Sequence, residues 1–349
     1  EAVFRGPCDI DVFRDGELSV SVHAGHAIIA SGGRFRQLPG LGPDGERIVT
    51  SREALALKEL PASMIVLGGG AIGVEMAWFF SRAGSTVTLV EMMPRLLPLE
   101  DEEVSAVLKR SFEKAGITVV TGAKLDNLEK DSEGVSAILR AGEGEAQEIR
   151  ADILLVAVGV TGNTEGLGLE LAGVETSRGF IVTDRECRTS SPNIFAIGDV
   201  RGGMLLAHKA SAEAGIAVKA LSGCTADPLD ENLIPRCVYA EPSVSGIGLT
   251  EKEAVDKGFS VKVGRSMFAA SGKANAYGSL DGLAKLVFNA ADGRMLGAHV
   301  VGHGSVELIG ELTLAMNIGA TASQLASMVH AHPTLTETLK DAAENALGH

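Results

Sequence analysis

Apolar residues in this chain recur in short runs that are closed by glycine. Met64-Ile65-Val66-Leu67 is apolar without alternation, which predicts a strand buried on both faces of a parallel sheet. It runs into Gly68-Gly69-Gly70-Ala71-Ile72-Gly73; helical spacing then begins at Ala71 and stops at Gly84. A second strand, Thr86-Val87-Thr88-Leu89-Val90, ends at Glu91. An amphipathic helix near 101–115 closed by Gly116, a strand from Ile117 to Val120, a polar meander near 125–150 and the buried strand Ile153 to Val158 complete the series. That order predicts a doubly wound α/β domain over residues 46–158, with the meander as an insertion.

The flanks differ. In a first segment, residues 1–45, positions 1 to about 36 read as β-structure, with Leu18-Ser19-Val20-Ser21-Val22 alternating and His26-Ala27-Ile28-Ile29-Ala30 leading to the turn Ser31-Gly32-Gly33. The Pro/Gly-rich connection Leu38-Pro39-Gly40-Leu41-Gly42-Pro43-Asp44-Gly45 marks their end. Residues 159–228 give short strands, the buried strand Asn193 to Ile197, Gly198-Asp199, and a helix from Ala207 to Leu221. Residues 229–349 carry strands around 236–249, 260–268 and 283–301, then helices near 304–318 and 334–347.

The chain has 349 residues, 45% of them hydrophobic, enough for two or three domains without staples. A net charge of −14 excludes nucleic acid and anionic membrane surfaces as natural partners, because both need clustered cations. No apolar run is long enough to span a bilayer and no basic segment precedes one at the start, so the expected location is the cytoplasm. Cys8, Cys187, Cys224 and Cys237 lack C-x-x-C or C-x4-C spacing, which argues for reduced bystanders and no metal site. The chain opens on Glu1 in mid-pattern, as a fragment of a longer protein would.

The glycine stretch carries the first chemistry. In a dinucleotide pocket the first glycine makes a tight turn, the second admits the pyrophosphate to the backbone, and the third lets helix pack on strand. Glu91, about 20 residues on, stands where a carboxylate accepts hydrogen bonds from the adenosine ribose of NAD. The alternative is a glycine turn in some other βαβ unit, with Glu91 only ending a strand. Asp199 follows a buried strand and a glycine, at the crevice where open sheets bind ligands, and the helix at Ala207 offers its N-terminal amides nearby. It reads equally as a ligand contact or as a turn residue.

A further cluster is His330-Ala331-His332-Pro333-Thr334-Leu335-Thr336-Glu337. Pro333 keeps His332 out of helical backbone, and Glu337 could orient the ring and make His332 a general base. The competing reading is a capping box, in which Glu337 only bonds the backbone N–H of Thr334. His330, His299 and His303 rank behind His332. Met92-Met93 and Trp78 read as core or helix-face residues, and Glu100-Asp101-Glu102-Glu103 as the solvated first turn of a helix.

Taken together, these segments resemble the pyridine nucleotide-disulfide oxidoreductase family, most closely its dihydrolipoamide-oxidising branch. The matching stretches are Ile29 to Gly33, Gly68 to Glu75, Val156 to Gly159 with Asn163 to Glu170, Ile194 to Val200, Leu206 to Ala210, and His330 to Glu337. The resemblance implies doubly wound FAD- and NAD-binding α/β domains, the FAD part incomplete, and a C-terminal α+β dimerisation domain over 229–349. It implies that Gly68, Gly69, Gly70, Ala71, Ile72, Gly73, Val74, Glu75, Glu91 and Gly159 serve NAD. Ser31, Gly32, Gly33, Asp199, Leu205, Leu206, Ala207 and His208 would serve FAD. His332 would be the acid-base residue and Glu337 its partner, acting on the redox disulfide of the other subunit of a homodimer. Electrons would pass from dihydrolipoamide through the disulfide and FAD to NAD+. The dithiol would be a small molecule or a lipoyl domain, in a 2-oxoacid dehydrogenase or glycine cleavage complex.

The sequence departs from the family in two ways. The family's first flavin-binding G-x-G-x-x-G and its redox C-x4-C belong upstream of residue 1 and occur nowhere here, so these 349 residues alone should not run the cycle. Val160-Thr161-Gly162 replaces the usual basic residues after Gly159, and Ser31 the usual threonine. Mercuric reductase is disfavoured because the chain ends Ala346-Leu347-Gly348-His349 without a cysteine pair, and glutathione reductase because Glu91 would repel an NADP 2′-phosphate. A non-catalytic nucleotide-binding or dimerisation module remains open.

Overall fold

The computed structural model describes residues 1–36, 42–142, 144–225 and 227–349; Leu38 to Leu41 of the expected connection lie outside them. The chain forms two compact units, Glu1–Arg36 with Gly159–Glu231, and Gln37–Val158 with Asn232–His349. No helix among the described residues is long and apolar enough to cross a membrane.

In the first unit, strands Ala27–Ile29 and Ile194–Ala196 pair in parallel, Ala27 opposite Ile194. Parallel pairing at this register puts the turns that follow the two strands side by side. Buried Ile29, Ile194, Ala196 and Val200 pack with Leu169 and Ile181 beneath them. An antiparallel sheet, Ala2–Phe4, Asp9–Arg14 and Glu17–His23, flanks this core, and its outer strand is exposed throughout.

The second unit holds a five-stranded parallel sheet in the order Ile48–Val49, Ile153–Val156, Ser63–Leu67, Thr86–Glu91, Thr118–Thr121. Ser63–Leu67 is central, which is why its sequence does not alternate. Helix Ala71–Ala83 leaves it at once, ending on Gly84 at φ +120°, and the meander Ala123–Lys130, Val135–Ala141, Gln147–Ala151 is antiparallel. A second five-stranded sheet, antiparallel, runs Arg236–Val238, Ser243–Gly248, Met295–Gly302, Leu283–Asn289, Val261–Met267. Helix Glu337–Leu347 lies against its edge so closely that a Cβ on Gly264 would stand 1.7 Å from the Ala342 carbonyl oxygen.

Several expectations change here. The stretches around 236–249 and 283–301 are each two strands, and the helices Glu251–Asp256, Gly272–Tyr277 and Ala322–Ser327 are additional. The last helix begins at Glu337 and not near 334: Thr336 is its N-cap, and the Thr334 hydroxyl bonds back to the Ala331 carbonyl, in competition with a helical start. The acidic run is not a solvated turn: Glu100 and Asp101 are buried, and Asp101 caps helix Glu102–Lys114.

The acids are buried because the antiparallel sheet supplies cations. Arg236 donates to Glu100 at 2.7 Å, Lys285 to Asp101 at 2.9 Å and to Glu103 at 2.7 Å, and Arg265 to Glu103 at 2.6 Å. Glu251 joins them, 2.9 Å from both Lys285 and Arg265. Burial alone would raise the Glu100 carboxyl, but His299 and Arg236 hold it below the usual range. Arg265, with Lys285, holds Glu103 down to about 2.

Candidate functional site

The glycine turn of the second unit has the geometry that its chemistry requires. Gly68 has φ +112°, and a Cβ there would stand 2.5 Å from the Ala157 carbonyl oxygen. A Cβ on Gly73 would stand 1.8 Å from the Gly68 carbonyl oxygen, so helix and strand could not pack with any larger residue. At Gly70, by contrast, a Cβ would meet nothing within 4 Å. This open backbone is the N-cap of helix Ala71–Ala83 and has no side-chain cap, which leaves amides for an anion.

Glu91 closes the turn from below. Gly69 N–H donates to its Oε2 at 2.5 Å and Met93 N–H to its Oε1 at 2.6 Å, so the buried carboxylate is oriented and each oxygen keeps a lone pair for a ribose hydroxyl. Within Gly68 to Glu75, Val74 is turned away into the core and Ile72 packs partly against it. Glu75 accepts the Tyr239 N–H at 2.9 Å, and burial pushes its carboxyl above the usual range. Met92 is 72% exposed and Met93 is exposed too, contrary to the core or helix-face reading: the chain has left the sheet at Glu91 and both residues stand on the loop beyond it. Trp78 packs against the core, as expected.

The expected flavin segments come together in the first unit. Ser31 Oγ donates to the Asn163 carbonyl at 2.8 Å, and Asn163 Nδ2 donates to the Ser31 carbonyl at 2.8 Å. Val160–Gly162 pairs with Gly33–Phe35, so the two sequence departures noted above are neighbours. A Cβ on Gly33 would be 3.2 Å from Asp199 Cβ, which places the Ser31-Gly32-Gly33 turn beside the Gly198–Arg201 turn. Helix Ala207–Leu221 starts at Leu206, beyond Leu205, with no side-chain cap, and exposes Ala207 and His208. The uncapped helix start leaves backbone amides, and Gly32 leaves open surface, features that suit FAD. Gly159, φ +111°, falls in this unit and not in the one that holds Gly68.

The sequence reading passed over two buried charged groups. Lys209 and Glu213 sit on the covered face of helix Ala207–Leu221; their i, i+4 spacing among small residues was the available signal. His330 was ranked low, yet its Nε2 lies 2.9 Å from Glu311 Oε1 with the ring almost fully covered. All four cysteines are free, and burial pushes the Cys187 and Cys237 thiols up.

His332 and Glu337 meet in the second unit, where Glu337 Oε1 is 2.9 Å from His332 Nδ1. The other oxygen, Oε2, accepts the Thr334 N–H at 2.9 Å. One carboxylate therefore makes both bonds that the sequence offered as alternatives. The Thr334 N–H, and after it the His332 ring, hold the Glu337 carboxyl below the usual range. An ionised carboxylate only accepts, so Nδ1 is the protonated nitrogen and the lone pair is on Nε2. The ring is 79% exposed, and Nε2 has no partner among the described residues.

Residues 10–214 match the pyridine nucleotide-disulphide oxidoreductase family, and residues 234–343 match that family's dimerisation domain. The chain belongs to this family. It is 62% identical over 348 residues to the dihydrolipoyl dehydrogenase of Chlorobaculum tepidum, covering 99% of this chain and 74% of that protein. It is 41% identical over 345 residues to the dihydrolipoyl dehydrogenase of Bacillus subtilis, covering 98% and 73%. Among solved structures, LpdA of Mycobacterium tuberculosis superposes with a TM-score of 0.89 at 27% identity, over 99% of this chain and 75% of that one. The copper complex of the HOCl-induced flavoprotein disulfide reductase RclA of Escherichia coli gives 0.90 at 28%, over 99% and 77%. Dihydrolipoyl dehydrogenases use FAD and NAD, and the sequence expectation of both cofactors agrees with this kinship.

Proposed function

We propose that this chain is part of an NAD-dependent dihydrolipoyl dehydrogenase, which converts dihydrolipoamide and NAD+ to lipoamide, NADH and a proton. FAD, when bound, relays the electron pair between the dithiol and the nicotinamide. Residues 46–158 hold NAD through the Gly68 turn and Glu91. Residues 1–45 and 159–228 hold FAD through Ser31 to Gly33, Asp199 and Leu205 to His208. Residues 229–349 form the homodimer interface.

The observation that carries the reading is the His332–Glu337 pair with Nε2 facing outward. A thiol attacks a disulfide only as thiolate, and Nε2 takes its proton. Glu337 fixes the tautomer that leaves this lone pair outward, and stabilises the ring once it is charged. The disulfide belongs to a partner subunit, and the physiological dithiol is a lipoyl group of a 2-oxoacid dehydrogenase or glycine cleavage complex in the cytoplasm. The test is steady-state assay of the full-length FAD-loaded protein: dihydrolipoamide should reduce NAD+, and preferential use of NADPH with glutathione disulfide would sink the proposal.

A further inference from the structure

Helix Ala207–Leu221 buries two charged side chains, Lys209 at 2% exposed and Glu213 at 0%. Lys209 Nζ donates to Glu213 Oε1 at 2.7 Å. The same oxygen accepts from Arg201 Nη1 at 2.7 Å, while Oε2 accepts the Gly198 N–H at 2.7 Å. Lys209 Nζ also donates to the Gly202 carbonyl at 2.9 Å.

Stability alone does not explain such a group, since two cations share one carboxylate and buried ion pairs are often no better than apolar residues of the same volume. The bonds share a target, the turn from Gly198 to Gly202. Glu213 holds the backbone where the turn begins, Lys209 holds it where the turn ends, and Arg201 ties it from within. Both end glycines have positive φ, +74° and +75°, a conformation that many other backbone states of glycine compete with. Asp199 lies between the anchors, beside Gly33.

We infer that Lys209 and Glu213 are positioning residues for the flavin: they hold the Gly198–Gly202 turn in one conformation, so that Asp199 meets FAD without the turn having to order on binding. This rests on the reading of Asp199 as an FAD contact. Both residues act through the turn, and neither needs to touch the cofactor.

The experiment is a double-mutant cycle on FAD dissociation from the full-length enzyme, followed by flavin fluorescence on dilution well below the melting temperature. Lys209→Met is the informative variant, because it leaves Glu213 with one cation; Glu213→Gln would leave the buried Lys209 and the half-buried Arg201 without their carboxylate. Lys209→Met should raise the FAD dissociation constant about tenfold, the scale of one lost charged hydrogen bond. In the Asp199→Ala background the same change should have an effect below about threefold, since the turn no longer reaches the flavin. Equal effects in both backgrounds would mean general loosening and overturn the inference. An unchanged constant in Lys209→Met beside a weakened Asp199→Ala overturns the inference alone, whereas an unchanged Asp199→Ala overturns the Asp199 reading and the inference with it. Lys209→Gln, which keeps a donor for the Gly202 carbonyl, is the second variant and should lose less than Lys209→Met; equal loss removes the hydrogen bond from the explanation.

Discussion

Gly69 and Glu91, 22 positions apart, are joined by a 2.5 Å hydrogen bond that orients the carboxylate at the end of its strand. Replacing Glu91 with Ala should weaken NADH binding by about 1–3 kcal/mol, the cost of a lost charged hydrogen bond, and relax the preference for NADH over NADPH. Isothermal titration with both nucleotides measures it. Tighter NADPH than NADH binding by the unmutated protein would contradict the role given to Glu91.

The glycines separate folding from binding. Gly70→Ala places a methyl in open space at φ −74°, so the protein should fold with stability within about 0.5 kcal/mol and yet bind NADH at least about tenfold more weakly. Gly73→Ala drives a Cβ to 1.8 Å from the Gly68 carbonyl oxygen and should lower the melting temperature whether or not NADH is present. Similar thermal scans for the two variants would argue against this division.

At the dyad, His332→Gln should slow reduction of the enzyme by dihydrolipoamide by about 10²–10⁴-fold with FAD content unchanged. Glu337→Gln has one acceptor oxygen for two donors, so it should both shift the pH profile of that step and lower stability by about 1 kcal/mol. Stopped-flow absorbance across pH, with thermal melts of the same samples, reads both. A stability loss with an intact pH profile would leave Glu337 as a cap only.

The seam of charges makes an acid-stability prediction. Glu103 is ionised in the fold down to about 2, against an ordinary 4.5, so its contribution is fully present above about pH 4.5 and fades as pH falls through about 2. Glu103→Gln should flatten the stability curve in that window, as followed by urea unfolding between pH 7 and 3. Lys285→Met, which strands the buried Asp101 and leaves Glu103 and Glu251 with Arg265 alone, should cost about 3–5 kcal/mol at neutral pH.

Val329, three residues before His332, is 94% exposed, and Leu314 and Ile318 are exposed as well. Large apolar side chains this exposed fit burial by a second subunit. Light scattering of the full-length protein should give twice the chain mass, and Val329→Asp should reduce both the dimer fraction and turnover. A monomer at micromolar concentration that still oxidises dihydrolipoamide would refute the shared site.

Residues whose role is set by their immediate neighbours were legible in the sequence. Met64 to Leu67 announced a central strand because nothing in it is polar enough to face water, and Gly68 to Gly73 announced the turn because Gly68 and Gly73 leave no room for a side chain. Helix Ala207–Leu221 was legible from end to end. Legibility ended where a partner lies far along the chain. Glu100 and Asp101 look like solvent residues until Arg236 and Lys285 are seen against them, 136 and 184 positions away. The choice between cap and dyad at Glu337 was not decidable from spacing, because the two oxygens of one side chain serve both.

The charged seam also constrains how such a protein can change. Apart from Glu251 its acids lie in one short stretch, Glu100 to Glu103, and its cations Arg236, Arg265 and Lys285 lie more than a hundred positions later, so no single local substitution can exchange one matched set for another. A chimera that took residues 232–349 from a distant relative would inherit Arg236, Arg265 and Lys285 as whatever that relative carries there. The acidic turn would then face a mismatched surface. Recombination between lineages is therefore tolerated only where both sides of the seam travel together, and the charges at 100, 101, 103, 236, 265 and 285 should covary as one set.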